Sequence, residues 1–441
     1  MSSYLFTLTI TPVQSFISQA RKTRDLFAGS EILSDLMRRI RDRFSEDEIV
    51  FPQKREFVSN KIVVKLKDRD PKELGEDLEE FINNIVMNLI FQKTNCYDNS
   101  LNNFFQVFWV AVKLDEANYK ESYKKLEQSL GAIKNLRIFT QQTQLKGVKK
   151  CSLCGERNIA KEDDKDKLCL VCYTKRCYVK IGNRQYPSTE DISNDKKYYA
   201  LLQFDIDDMG KHLSSAKDIE AQRDLSKKLG EFAQKAKEIV TPKYTIYAGG
   251  DDFLGFVELD RLFDTIKEIK EFKLPNITFS TSIVIAHEKA PLHKVLDYSR
   301  ELLATTKNHF DNKNGVGVIV MSNSAINAQT ICRYDDLKLL NEMREKKIGM
   351  GLHYKLKTIF SFLDDKTITH TEYKYQIEML EYEIKRLLKR EQGDFDKELY
   401  LKLIDFLHEQ VDGLDIETEI TIDFDNFIGY LKTLEQLKKV L

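Results

Sequence analysis

Twice along its 441 residues the chain runs through the same succession of patterns, strand–helix–strand–strand–helix–strand. That order is the ferredoxin-like arrangement, and it commits most of the chain to α+β architecture. In the first half, residues 4–10 alternate like a strand. Thr11-Pro12-Val13-Gln14 then reads as a helix start, with Thr11 as N-cap, Pro12 at the first helical position and Gln14 completing a capping box. Val13, Phe16, Ile17 and Ala20 follow at helical spacing, Gly29 breaks the run, and Ile32, Leu33, Leu36, Met37 and Ile40 resume it. β-rich runs at 48–51 and 61–66, a helix over 71–92 and a strand over 107–114 complete the first set.

The second set starts at 199–204, a nearly apolar strand that ends in Asp205-Ile206-Asp207-Asp208. A helix covers 219–240. Two short strands, 244–248 and 253–257, flank Gly249-Gly250-Asp251-Asp252 and read as a hairpin. A helix over 259–272, a strand over 277–286, a helix over 291–306 and a closing strand over 316–321 follow. Between the sets lies a Lys- and Asp-rich, cysteine-bearing insert, 147–184. After about Cys332 no strand run is predicted, and helical spacing at 373–390, 400–410 and 424–441 reads as a small bundle. Four domains are therefore expected: 1–146, 147–184, 185–330 and 331–441.

Lys and Arg (69) nearly cancel Asp and Glu (70), so no global field draws the chain onto nucleic acid, and any such contact must be local. The opening residues lack the basic and continuous apolar regions of a signal peptide, and no run of 18 apolar residues occurs. Neither export nor a membrane partner is expected. The seven cysteines include two Cys-x-x-Cys pairs, which points to metal binding in a reducing cytoplasm instead of disulfides.

The acidic residues carry the chemistry. Joining nucleotides requires a hydroxyl made nucleophilic and a triphosphate held in line, and two divalent ions bridged by carboxylates do both. Mg²⁺ takes a few carboxylate oxygens and leaves room for water and phosphate. Asp205 and Asp207, two apart at a strand end, are expected on one face. Asp251 and Asp252 sit on a neighbouring hairpin. Gly249 and Gly250 suit a tight turn and let a triphosphate approach the backbone. Glycine and aspartate are also ordinary turn residues, so the hairpin alone is weak; the second Asp-x-Asp one helix upstream makes the pair a catalytic candidate. Lys307 closes a helix before the Asn314-Gly315 turn. It reads either as a point charge for phosphate or as a solvated lysine favoured by the helix dipole.

Cys151-Ser-Leu-Cys154 and Cys169-Leu-Val-Cys172, 14 residues apart, fit a closed four-thiolate structural Zn²⁺ site. Arg21-Lys22-Thr23-Arg24 and the lysines of 146–150 are short basic clusters, readable as RNA phosphate contacts or as solvated faces.

The opening run from Thr9 through Ser30 (TITPVQSFISQARKTRDLFAGS) resembles the first palm module of the large subunit of type III CRISPR effector complexes, nearest the III-B branch. The remaining order is similar throughout: a degenerate palm, a four-cysteine zinc insert, a second palm with Asp-x-Asp and Gly-Gly-Asp-Asp, and a helical C-terminal domain. The resemblance implies two ferredoxin-like, nucleotide cyclase/polymerase-like palms, partner subunits, guide RNA and target RNA, and RNA-activated synthesis of cyclic oligoadenylate from ATP with Mg²⁺ or Mn²⁺. By carry-over, Asp205, Asp251 and Asp252 would hold the metals, with a further ligand from the Ile206 carbonyl. Asp207, Gly249, Gly250, Ser282 and Lys307 would line the nucleotide, and the first palm would supply part of a second nucleotide's site. Many relatives begin with an HD nuclease domain. Here the first palm begins at residue 4 and no His-Asp dipeptide occurs, so DNA cleavage is not expected. Some HD-less relatives join ATP to S-adenosylmethionine, which leaves the acceptor open. A catalytically silent scaffold and a cyclic-di-GMP synthase, which shares the hairpin as Gly-Gly-Asp-Asp-Phe253, are the other readings. The insert and the first palm do not fit the latter.

Overall fold

In the computed structural model, which describes residues 3–136, 149–178, 186–272, 274–346, 348, 351–363, 367–392, 395–412 and 420–441, the first alternating run is β1 (Ser3–Thr11). Leu5, Phe6, Leu8 and Ile10 are fully buried, and Thr7 and Thr9 are buried with them. α1 (Gln14–Ser18), α2 (Thr23–Arg41), β2 (Ile49–Phe51), β3 (Lys61–Lys67), α3 (Pro71–Thr94), β4 (Gln106–Lys113) and α4 (Tyr119–Asn135) follow. The sheet order is β2-β3-β1-β4, with each pair antiparallel. α4 has no counterpart among the sequence expectations.

The helix start is a correction. Thr11 belongs to β1, α1 begins at Gln14, and its N-cap is Val13 with no side-chain cap bond. The run is interrupted at 19–22, and α2 passes straight through Gly29. The reason lies in the neighbour: a Cβ at Gly29 would lie 3.0 Å from the Cε of Lys175, whose side chain passes over the helix. Gly29 is there for a close approach, not for a turn.

The insert forms β5 (Lys161–Asp163), β6 (Asp166–Leu168) and α5 (Leu170–Cys177), and α6 (Thr189–Ser193) leads out of it. The second set is β7 (Tyr198–Ile206), α7 (Met209–Ser214), α8 (Ile219–Val240), β8 (Thr245–Ala248), β9 (Asp252–Glu258), α9 (Leu262–Glu271), β10 (Phe279–His287), α10 (Leu292–His309) and β11 (Val316–Met321). β12 (Ile326–Cys332) extends it, giving a sheet of order β12-β11-β10-β7-β9-β8. Without its two added strands this is β10-β7-β9-β8, the fourth, first, third and second strands of the set. The first sheet reads fourth, first, third, second as well. A shared strand order is what the repeated pattern requires.

The remainder holds α11 (Tyr334–Glu345), α12 (Leu352–Phe360), β13 (Thr367–Ile368), α13 (His370–Gln392), α14 (Lys397–His408), β14 (Val411–Asp412), β15 (Ile420–Ile422) and α15 (Phe424–Val440). The purely helical expectation is thus corrected: three strands form a small sheet, β13-β15-β14. Two- and three-residue strands carry no measurable alternation, and here backbone pairing alone defines them.

By contacts the chain divides into two units. The first comprises Met1–Ser188, Asp208–Gly255 and Glu271–Asn276, with the first sheet, the insert, α8 and β8. The second comprises Thr189–Asp207, Phe256–Lys270 and Ile277–Leu441, with β7, β10, β11, β12 and the C-terminal helices. β9 runs from one into the other.

Candidate functional site

In the second unit, β7 ends at Ile206 and its last residues diverge in role. Asp205 is half-exposed, and its Oδ1 accepts a hydrogen bond from Lys307 Nζ at 2.5 Å. The same ammonium lies 3.4 Å from the Ile206 carbonyl oxygen. Lys307 is therefore no solvated lysine: the last turn of α10 delivers it to the strand end. Asp207 is buried. Its carboxylate accepts from Thr278 Oγ1 and Ser280 Oγ, both at 2.8 Å, and from the Asn314 amide at 3.0 Å. Strand alternation predicts Asp205 and Asp207 on one face. The strand stops between them, and Asp208 turns left-handed with φ 53°. Ser282 is fully buried too, 2.9 Å from the Ser299 hydroxyl, which donates to Gln203 at 2.8 Å. Its hydroxyl belongs to the packing of β10 against α10.

In the first unit, β8 leads into the glycines. The Gly249 amide donates to the Asp252 carbonyl at 2.8 Å and closes the hairpin. A Cβ at Gly249 would lie 2.4 Å from Asp252 Oδ1, so any other residue would displace that carboxylate. Gly250 packs near Phe51, whose Cζ would stand 3.5 Å from an added Cβ. Both glycines are buried while Asp251 and Asp252 are half-exposed. Oxygen-only donors, partly open to water on a rigid turn, suit Mg²⁺ or Mn²⁺ and not a soft metal. A cavity of about 130 Å³ lies along β8, lined among others by Ser30, Glu31, Tyr186, Lys237 and Tyr247. There the Tyr186 ring stacks on Phe27 with centroids 5.2 Å apart, and its hydroxyl donates to Glu31 at 2.6 Å.

The four cysteines of the insert converge: their sulfurs all lie within 4.8 Å of one another, with Cys154 and Cys169 at 4.0 Å. Zn–S bonds of about 2.3 Å in a tetrahedron place sulfurs about 3.8 Å apart, so the set fits zinc. The amides of Leu153 and Cys172 point at Cys151 and Cys169 sulfurs, each at 3.4 Å, as donors to thiolates should. Hydrogen bonds from the other three thiols hold Cys151 far below the ordinary thiol range.

One turn beyond Cys172, α5 presents Lys175 and Arg176, both buried. Lys175 donates to the carbonyls of Phe16 at 2.5 Å and Gln19 at 2.8 Å, capping α1, and burial pushes it down to about 8. Arg176 holds Asp25 with two bonds, at 2.5 and 2.9 Å, and reaches Asp163 at 2.7 Å and Asp166 at 3.1 Å. The basic cluster that follows α1 meets the same hairpin: Lys22 pairs with Asp164 at 2.8 Å, Arg24 with Asp163 at 3.0 Å, and Arg21 with Asp166. Each of these charges thus faces an aspartate of the insert, while the Arg21, Lys22 and Arg24 side chains keep 58%, 42% and 42% of their exposure. The acidic residues of 163–166 were visible in the sequence, but nothing local paired them with residues about 140 positions away. Lys146, in the other basic segment, lies outside the described residues, as do the boundaries at 146/147 and 184/185.

The second sheet has a ferredoxin-like strand order, with Asp205 near the end of β7 and Asp252 opening β9, and the class it falls into is shown by the family models. Residues 198–317 match the family model described as Cas10/Cmr2, second palm domain, and residues 5–131 match CRISPR-associated protein Cmr2, N-terminal. The chain belongs to the Cas10/Cmr2 family of type III CRISPR proteins. It is 26% identical over 257 residues to the CRISPR system Cmr subunit Cmr2 of Pyrococcus furiosus, a stretch covering 48% of this chain and 29% of that protein. The match thus spans less than a third of the curated relative's length. Among solved structures, the fold is similar to one in the type III-B Cmr-beta complex bound to cognate target RNA, with a TM-score of 0.71, 13% identity, and coverage of 99% of this chain and 83% of that one. It is also similar to a chain of a Csm1-Csm4 cassette in complex with pppApApA, with a TM-score of 0.61, 13% identity, and coverage of 99% and 69%. Among the described residues, no helix is long and apolar enough to cross a membrane.

Proposed function

We propose that this chain is the large subunit of a cytoplasmic type III CRISPR effector complex. In this reading it works with partner subunits, guide RNA and target RNA, and joins ATP into cyclic oligoadenylate when target RNA is bound. The observation that carries the reading is the half-exposed Asp205 near the end of β7, met by the Lys307 ammonium from the last turn of α10. That a similar fold is found in a cassette in complex with pppApApA supports it.

On this reading Asp205, Asp251 and Asp252 hold Mg²⁺ or Mn²⁺, with the Ile206 carbonyl beside them. Bound divalent ions supply charge for the attacking hydroxyl and the departing pyrophosphate. Gly249 and Gly250 let the triphosphate lie against the backbone. Lys307, held beside Asp205, would offer its ammonium to phosphate oxygens. Asp207 and Ser282 serve the nucleotide pocket from behind, since their polar atoms are already committed. The cavity along β8 takes part of a second nucleotide. Zinc in the four-cysteine site is structural. The division into a degenerate palm (1–146), zinc insert (147–184), catalytic palm (185–330) and C-terminal domain (331–441) belongs to the same proposal.

The test is mass spectrometry of products from the assembled complex given ATP, Mg²⁺ or Mn²⁺ and target RNA, with and without S-adenosylmethionine. Oligoadenylate from ATP alone is the expected result. A product that needs both substrates would move the reading to adenylate–S-adenosylmethionine conjugation. No nucleotide product under any condition would leave a scaffold.

A further inference from the structure

The turn that joins α10 to β11, residues 310–315, is anchored from three sides within the second unit. The Asn314 amide donates to the buried Asp207 carboxylate at 3.0 Å, directly after Asp205 and Ile206 in the chain. Arg333 donates to the Lys313 carbonyl and, at 2.6 Å, to Asn312 Oδ1, with its guanidinium 3.7 Å over the Phe310 ring. The third anchor is Lys270, in the last turn of α9. Its ammonium donates to Asn314 Oδ1 at 2.6 Å and sits over two rings, 3.8 Å from the centroid of Tyr334 and 4.6 Å from that of Phe279. Tyr334 is fixed in turn: its hydroxyl donates to the Phe279 carbonyl at 2.9 Å and lies 2.7 Å from Thr281 Oγ1.

These anchors hold a conformation the turn would not keep by itself. Lys313 and Asn314 are both left-handed, with φ of 54° and 56°. Two consecutive non-glycine residues in that region cost free energy that outside contacts must offset. Lys307 stands three residues before Phe310, so the turn sets where the end of α10 lies relative to β7. The path from Lys270 to Asp205 is therefore short: Asn314, the turn, the last turn of α10, Lys307.

We propose that Lys270 is a positioning residue for the β7 site: through Asn314 it fixes the α10–β11 turn and so aims Lys307 at Asp205 and at the phosphate that replaces it. The proposal rests on the nucleotidyl-transfer reading. An ammonium placed over aromatic rings, with an amide oxygen as acceptor, orients more sharply than an aliphatic side chain of equal length would. Burial also pushes Lys270 down to about 8, against the attraction of Asp207, consistent with a group held for its geometry.

Two variants test it in the assembled complex. Lys270→Met removes the ammonium and keeps the stem. Asn314→Gly removes the acceptor, keeps the left-handed backbone and the bond to Asp207, and serves if Lys270→Met does not fold. Both should lower the turnover of ATP by roughly 10- to 100-fold with KM for ATP little changed, as expected when a reacting group is misplaced by an ångström or less. In a Lys307→Met background either change should cost little more, and amide exchange should quicken at 307–315 and not in β7. Wild-type turnover in both variants, or losses that multiply with that of Lys307→Met, would overturn the positioning role while leaving the nucleotidyl-transfer reading intact. If the wild-type complex makes no nucleotide product, the reading itself fails and the proposal falls with it.

Discussion

The two sheets share a four-strand order, yet the first aspartates that the chain offers around each opening strand are used differently: Asp25 lies in the first turn of α2, and Asp205 is the next-to-last residue of β7. Following β1, Asp25 is buried and takes two bonds from Arg176, while the insert's Asp163, Asp164 and Asp166 face Arg24, Lys22 and Arg21. At the end of β7, Asp205 keeps 40% of its side chain exposed and faces Lys307. The first arrangement surrounds the buried Asp25 and Asp166 with fixed donors, which makes them good structure and poor metal ligands. The second leaves a carboxylate open to water, with the Lys307 ammonium as its charged partner. One scaffold therefore supports opposite uses of aspartate, and the number of fixed donors around each oxygen separates them.

The largest expected effect tests the open site. Asp251→Ala with Asp252→Ala should lower oligoadenylate synthesis by at least ~1,000-fold, which corresponds to ~4 kcal/mol of transition-state stabilisation. Melting temperature and RNA binding should stay as in the unaltered complex. A surviving rate, followed by product mass spectrometry, would remove these aspartates from catalysis. Next comes the four-cysteine site beside Lys175 and Arg176. Cys172→Ser should empty the zinc site and lower the melting temperature, because structural zinc sites supply much of the folding free energy of the small modules that hold them. Hydrogen exchange should quicken in α5, α1 and the start of α2, where Lys175 and Arg176 act, and stay unchanged in β10 and β11. Freshly purified, unchelated protein without zinc by metal analysis would end that assignment.

Much of this was legible before the fold was known. The buried strands β7, β10 and β11 are apolar runs of the right length, the glycines mark the hairpin, and the cysteine spacing marks the insert. What stayed hidden depends on distance along the chain or on where regular structure stops. Arg21 and Asp166 are 145 residues apart, and no local pattern links them. Asp207 lies one residue beyond the end of β7, where the two-residue period no longer applies. β12 alternates poorly, with Asn327, Gln329 and Thr330 within it, and it is held by β11 and by the Asn426 side chain, which bonds the Ile331 amide at 2.8 Å and carbonyl at 2.7 Å. Lys270 had no signature at all, since its role depends on a turn 44 residues away.

The saturated network can be broken at its centre or at its edge, and the two should differ. Arg176→Met strands Asp25 in a fully buried position, and removing one partner of a buried pair costs about 3–5 kcal/mol. Changing both partners, Arg176→Met with Asp25→Asn, should recover part of that loss, because no uncompensated charge remains. Denaturant unfolding followed at constant m-value measures both.

The smallest effect is the most discriminating. Lys22 and Asp164 are 2.8 Å apart, a separation like those within the Arg176 fork, yet their side chains keep 42% and 71% of their exposure. Solvent screening should then hold the cost of Lys22→Ala below ~1 kcal/mol, and moderate salt should erase most of it. Burial, not contact distance, would then set the worth of each pair, and the insert would grip α2 through Arg176 alone. A loss on the scale of Arg176→Met would mean instead that Arg21, Lys22 and Arg24 hold the hairpin as one cooperative lattice, in which opening any edge exposes Asp25.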